Sequence, residues 1–130
     1  MIVDSSALIA ILRQEAGSQN LLDAVVSKAN CAMSAASFLE TAIVVDAERD
    51  PVASRELNDF LQKTAITIIP FDAAQARVAR EAYRDFGKGS GHKAQLNFGD
   101  CFAYALAKSL GEPLLFKGED FRLTDVIPAL

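Results

Sequence analysis

Apolar positions in this chain fall into short runs separated by longer amphipathic stretches, the pattern of strands alternating with helices. Ile2-Val3 stops at Asp4 and predicts a short strand buried on both faces. Ser6 to Leu12 has helical composition and ends near Gly17; Leu21, Leu22, Val25 and Val26 then recur at helical spacing. Asn30 to Met33 predicts a second strand, with Ser34 as N-cap of a helix that runs to about Arg49. Asp50-Pro51 opens another helix, since proline is tolerated in a first turn. Ala65 to Ile69, rich in β-branched residues and stopped by Pro70, is the clearest strand. Asp72 caps a helix to Phe86, and the glycines between Gly87 and Gly91 make a loop. A helix from Gly99 to Leu110 closes at Gly111. Leu114 to Phe116 gives a fourth strand, and Val126-Ile127 a short fifth.

Strands separated by helices imply an α/β fold. The expectation is one domain over residues 1–130, a mostly parallel sheet of four to five strands with helices on both faces. No repeat, low-complexity tract or linker divides the chain.

That order gives four acids a common destination. Asp4 ends the first strand, Glu40 lies in the helix after the second, Asp100 opens a helix and Asp120 follows the fourth strand. Ligands of open parallel sheets gather beyond the carboxyl ends of the strands. Like charges brought together there repel unless a cation lies between them, and oxygen-only donors suit Mg²⁺ or Mn²⁺. Such a site points to phosphodiester chemistry.

Each acid also has a plain structural use. Asp4 could cap the helix beginning at Ser5 or Ser6. Glu40 shares its helical face with Ile43, Val44 and Ala47, so the expectation is a buried carboxylate that needs a partner. Asp100 could complement the helix dipole, although Ala103, Tyr104 and Ala107 suggest a core-facing stripe. Asp120 sits in a turn-like Lys117-Gly-Glu-Asp, where Glu119 and Asp125 compete for the same role. Ser5 and Ser6 are placed to hydrogen-bond a carboxylate, or simply to cap.

Composition narrows the partners. Half the residues are apolar (51%) and 23% are charged, which excludes a disordered chain. A formal charge of −4 argues against binding a polyanion by bulk attraction, so contact would need a local basic patch or a bound cation. Arg77, Arg80 and Arg84 form such a stripe at helical spacing, but Glu81 and Asp85 share it, as on an ordinary solvated face. Lys88, His92 and Lys93 in the glycine loop are the better candidates to meet a phosphate chain. Cys31 and Cys101 lack metal-ligand spacing and read as core thiols. Met1-Ile-Val leads straight to Asp4 with no basic or apolar leader pattern, so no signal peptide is expected, and no uncharged run approaches the length of a membrane span. A cytoplasmic location with no membrane partner is expected.

Four blocks together carry a family resemblance: Met1-Ile-Val-Asp-Ser-Ser-Ala-Leu8, Ser34-Ala-Ala-Ser-Phe-Leu-Glu40, Leu96-Asn-Phe-Gly-Asp-Cys-Phe-Ala-Tyr-Ala-Leu-Ala107 and Leu114-Leu-Phe-Lys-Gly-Glu-Asp-Phe121. In order and spacing they resemble PIN-domain ribonucleases of the VapC toxin type, over essentially the whole chain. The resemblance maps that family's acids onto Asp4, Glu40, Asp100 and Asp120; Ser5 stands where threonine is frequent. It implies an endoribonuclease dependent on Mg²⁺ (or Mn²⁺), with Asp4, Asp100 and Asp120 holding the cation. Glu40 would then orient or deprotonate the attacking water, leaving a 5′-phosphate and a 3′-hydroxyl. It also implies a homodimer, an RNA substrate, and a co-expressed antitoxin whose C-terminal segment covers the site.

Competing readings fit less well. A phospho-acceptor receiver domain needs adjacent acids after its first strand, where this chain has Ser5-Ser6. A haloacid-dehalogenase phosphatase needs an aspartate at position 6, which is serine. A catalytically weak scaffold that only binds RNA or the antitoxin is opposed by the presence of all four acids.

Overall fold

The computed structural model describes all 130 residues. Four parallel strands form the sheet: β1 (Ile2–Val3), β2 (Ala32–Ser34), β3 (Thr67–Ile69) and β4 (Leu114–Leu115), in spatial order β3-β2-β1-β4. Six helices connect them: α1 (Ser5–Leu12), α2 (Ser18–Ser27), α3 (Ala35–Asp46), α4 (Pro51–Thr64), α5 (Ala73–Phe86) and α6 (Asp100–Leu110). None is long and apolar enough to cross a membrane.

Side-chain alternation along these very short strands splits the core in two. Val3, Met33 and Leu115 face one way, into a cluster completed by Leu8, Leu21, Val25 and Leu57 from the helices. Ile2 and Leu114 face the other, against Leu96, Tyr104, Leu106 and Phe121. Both faces are therefore covered, as the doubly apolar Ile2-Val3 and Leu114-Leu115 runs required.

Several boundaries differ from the sequence expectation. The first helix stops at Leu12, and Gly17, at φ 82°, opens α2 instead of closing α1. The stretch Ala65 to Ile69 yields only Thr67–Ile69 on the sheet edge, because Ala65 adopts a left-handed conformation (φ 51°) to end α4. Its β-branched composition reflects a half-wet edge and not a central strand. Val126-Ile127 does not become a fifth strand; the C-terminal segment makes an isolated bridge in which the Leu114 N–H donates to Ile127 O (2.8 Å) and the Ala129 N–H to Leu114 O (2.9 Å).

The sheet order sets the position of the site. From β1 the chain moves outward through β2 to β3, then returns to place β4 on the other side of β1. Crevices form where the winding direction reverses, beyond the carboxyl ends of the strands. Here that point lies between β1, which ends at Asp4, and β4, which leads to Asp120.

Candidate active site

Asp4 is 1% exposed and serves two ends at once. Its Oδ2 accepts from the Ser6 backbone N–H (2.9 Å) and the Ser6 hydroxyl (2.5 Å), which caps α1. Its Oδ1 is buried with no hydrogen-bond partner. Capping occupies only Oδ2, so it leaves Oδ1 free for a ligand. Burial is the main cause that pushes the Asp4 carboxyl up to about 7; the Ser6 bonds oppose it and the charges of Asp100 and Glu40 add to it.

Ser6 also joins two segments, because its hydroxyl accepts the Lys117 N–H (3.0 Å) from the loop after β4. A Lys117–Glu15 ion pair fastens the same loop to the end of α1. The segment that carries Asp120 is thereby held next to Asp4.

Glu40 departs from expectation. The buried stripe of α3 is Ser37, Thr41 and Val45, whereas Ile43 is 60% exposed and Leu39 58%. Glu40 is accordingly half-buried, at the border between that stripe and solvent. The apolar neighbours that suggested burial belong to an exposed face, an ambiguity inherent in a helix that is apolar nearly all round. Its Oε2 accepts from the Ser5 hydroxyl (2.9 Å), so the two serines after Asp4 divide their work: Ser6 holds Asp4, Ser5 holds Glu40.

Asp100 is half-buried and makes a reciprocal cap with Asn97, a residue that sequence reasoning passed over. The Asn97 N–H donates to Asp100 Oδ2 (2.8 Å), and the Asp100 N–H donates to Asn97 Oδ1 (2.9 Å). The spacing Asn97-Phe-Gly-Asp100 is that of a capping box and was the available signal. Burial pushes the Asp100 carboxyl up and the charges of Asp120 and Glu40 reinforce this, against the Asn97 bond and the Lys88 charge. The acids therefore sense one another: Asp4 with Asp100 and Glu40, and Asp100 with Asp120.

Asp120 is exposed at the first position of a short 3₁₀ turn, Asp120–Leu123. Its rivals are engaged elsewhere. Asp125 accepts from the Tyr104 hydroxyl (2.6 Å) and from Lys108 Nζ (2.9 Å), while Glu119 is a surface residue 3.8 Å from Arg122.

The basic candidates divide as well. Lys88 and Lys93 are exposed and unpaired in the glycine loop, with Lys88 close enough for Asp100 to feel its charge. His92 is instead folded into that loop: its Nδ1 accepts the Ala94 N–H (3.1 Å) and its ring meets Phe86 edge-on at 4.9 Å. That engagement favours a loop-shaping role over contact with substrate. Arg84 pairs with Asp85, whereas Arg77 and Arg80 form no ion pair. Both cysteines are buried free thiols, and burial pushes that of Cys101 up to about 11.

As the side chains stand, no three of the acids close around a single point, each being held by its own serine or asparagine bond or facing solvent. The fit to a divalent cation rests on the chemistry of the donors and on the orphaned Asp4 Oδ1, a buried carboxyl oxygen for which the protein supplies no hydrogen-bond partner.

Residues 1–127 match the model of the PIN domain family. Over 130 residues the chain is 52% identical to Ribonuclease VapC28 of Mycobacterium tuberculosis, covering all of this chain and 98% of that protein. It is 52% identical over 126 residues to Ribonuclease VapC of Mycolicibacterium smegmatis, covering 97% of each. The crystal structure of M. tuberculosis VapC20, described as a sarcin-ricin loop cleaving toxin, superposes with a TM-score of 0.76 at 17% identity, over 97% of this chain and 95% of that one. That likeness shows a shared fold, and the sequence relationship goes further: the chain belongs to the PIN-domain family and, within it, to the VapC ribonucleases.

Proposed function

We propose that this protein is a divalent-metal-dependent endoribonuclease acting as the toxin of a toxin–antitoxin pair. The observation that carries the reading is the orphaned, buried Oδ1 of Asp4 at the sheet's reversal point, with Asp100 and Glu40 near enough to sense its charge and Asp120 near Asp100, in a chain half identical to ribonucleases. Asp4, Asp100 and Asp120 would hold Mg²⁺ or Mn²⁺. When bound, such an ion supplies positive charge where a phosphodiester accumulates negative charge and makes water easier to deprotonate.

The remaining work falls to the chain. Ser6 fixes Asp4 and Ser5 fixes Glu40, so neither carboxylate has to be ordered when substrate arrives. Glu40, with Oε2 held by Ser5, is left with Oε1 to accept the proton of the attacking water. In-line attack would leave a 5′-phosphate and a 3′-hydroxyl. Lys88 lies near Asp100 and Lys93 is exposed in the same loop, where they can meet neighbouring phosphates in a protein of net charge −4.

The exposed Leu39 and Ile43 share α3 with Glu40 and give a partner an apolar foothold beside the acids. We assign that surface to the antitoxin, whose bound segment would shield the site; a homodimer remains part of the proposal.

The test is cleavage of a labelled RNA pool by the purified chain. Activity lost in EDTA, restored by Mg²⁺ and abolished by Asp4→Asn with an unchanged circular dichroism spectrum supports the reading. Full activity of Asp4→Asn in Mg²⁺ overturns it.

A further inference from the structure

We propose that the ring of Phe98 is a stacking platform for an unpaired base of the RNA, next to the phosphate that is cut. This rests on the nuclease reading above and names how that same site grips its substrate.

Phe98 is 75% exposed, the most exposed large apolar side chain of the protein. Packing explains only one edge of it: Phe102 meets it edge-on at 4.9 Å and is in turn met by Phe71 at 4.8 Å. These rings, with Ala79, Arg80 and Tyr83, line an apolar groove of about 260 Å³ between α5 and α6. The groove adjoins the acidic crevice directly. Phe98 is bounded by Asn97 and Gly99, of which the first caps Asp100 and the second touches the Glu40 carboxylate. The ring is therefore carried by the very turn that orders two of the acids.

The chemistry of the groove selects a nucleobase. Its floor is aromatic and aliphatic, and its one charged lining residue is Arg80, which has no acidic partner. Arg77, which also forms no ion pair, extends that edge along α5 beside Glu81, whereas Arg84 is taken up by Asp85; Lys88, unpaired, lies near enough for Asp100 to sense its charge. A flat apolar ring beside unpaired cations and next to phosphodiester chemistry matches single-stranded RNA, whose splayed bases stack on aromatic rings while the backbone follows the charge. A purely apolar protein segment would use the floor and leave the cations unsatisfied.

The test uses a labelled single-stranded oligoribonucleotide of mixed sequence, with Mg²⁺, on Asp4→Asn protein that does not cut. Fluorescence anisotropy gives the affinity with and without Phe98→Ala, and sedimentation of the RNA-free proteins gives their oligomeric state. We expect Phe98→Ala to weaken binding roughly tenfold or more, with unchanged sedimentation. Phe98→Trp should retain affinity, and its indole emission should be quenched by the oligonucleotide. An affinity indifferent to Phe98→Ala, or no measurable binding by either protein, overturns the proposal. So does a Phe98→Ala variant that sediments as a smaller species, since the groove is then a contact between copies. Failure of the nuclease reading shows separately, as absent Mg²⁺-dependent cleavage by the chain with Asp4 intact.

Discussion

The α-carbon of Gly99 lies so close to the Glu40 carboxylate that a methyl group built on it would sit 2.3 Å from Oε1. Gly99 has ordinary helical angles (φ −63°, ψ −40°), so its backbone does not need glycine; the space does. The missing Cβ lets the start of α6 close onto α3 and brings Glu40 within reach of Asp100. Gly99→Ala should displace the flexible end of Glu40 and leave the fold in place. The expected result is a melting temperature within a few degrees of the parent, with the single-turnover rate of RNA cleavage reduced roughly tenfold to a hundredfold. A rate equal to the parent's would mean that the position of Glu40 does not matter.

Ser6 is a second point where one atom serves two segments. Its hydroxyl donates to Asp4 Oδ2 and accepts from the Lys117 N–H. Ser6→Ala removes both bonds and frees the loop bearing Asp120 from Asp4. A loss of about 1–3 kcal/mol in unfolding free energy is expected, since one bond is to a carboxylate. Mg²⁺ affinity, read by calorimetry, should fall with it, whereas Ser6→Thr should keep both. Equal affinity in Ser6→Ala would detach the serine from the site.

Most of this architecture is legible in the sequence. Short apolar runs ending in Asp4 and preceding Lys117 revealed parallel strands, and the parallel order brought Asp4 and Asp120 to one edge. What escaped was anything decided by faces and contacts. An α3 apolar on nearly every side gave no means to tell that Ile43 is wet and Thr41 dry. The β-branched run at Thr67–Ile69 looked more central than it is, because propensity does not distinguish an edge strand from an interior one. Gly99 is the more conspicuous helix-start signal and masks Asn97, although the Asn-x-x-Asp spacing marks the reciprocal cap. The choice among Glu119, Asp120 and Asp125 was open because it turns on Tyr104 and Lys108, which lie a helix away in sequence.

That choice can be tested by two neutralising variants with opposite outcomes. Burial alone would push the Asp125 carboxyl up, yet the Tyr104 hydroxyl and Lys108 ammonium together bring it below its ordinary value, so its charge is used within the fold. Asp125→Asn should lower stability by about 1 kcal/mol, or a few degrees in melting temperature, and leave cleavage nearly intact. Asp120→Asn, at an exposed position, should leave the melting temperature unchanged and remove most of the activity. The reverse pattern would transfer the fourth acidic role to Asp125.

The burial of Asp4 makes the metal-free protein sensitive to pH in an unusual direction. In the folded chain its carboxyl holds a proton up to about pH 7, against an ordinary value of 3.8. Between those two the folded state binds more protons than the unfolded one, so this residue's contribution to stability is full below pH 4 and is lost as pH rises toward 7, by at most about 1.4 kcal/mol per pH unit. Below and above that window Asp4 contributes no slope. Denaturant unfolding in EDTA should therefore show stability declining from pH 4 to pH 7, with a shallower decline in Asp4→Asn. Added Mg²⁺ should stabilise more at pH 8 than at pH 5, because at pH 5 the ion has to displace the proton first. Equal slopes in the parent and in Asp4→Asn would show that the buried carboxyl is ionised throughout, and that its unpartnered oxygen carries no strain for a cation to relieve.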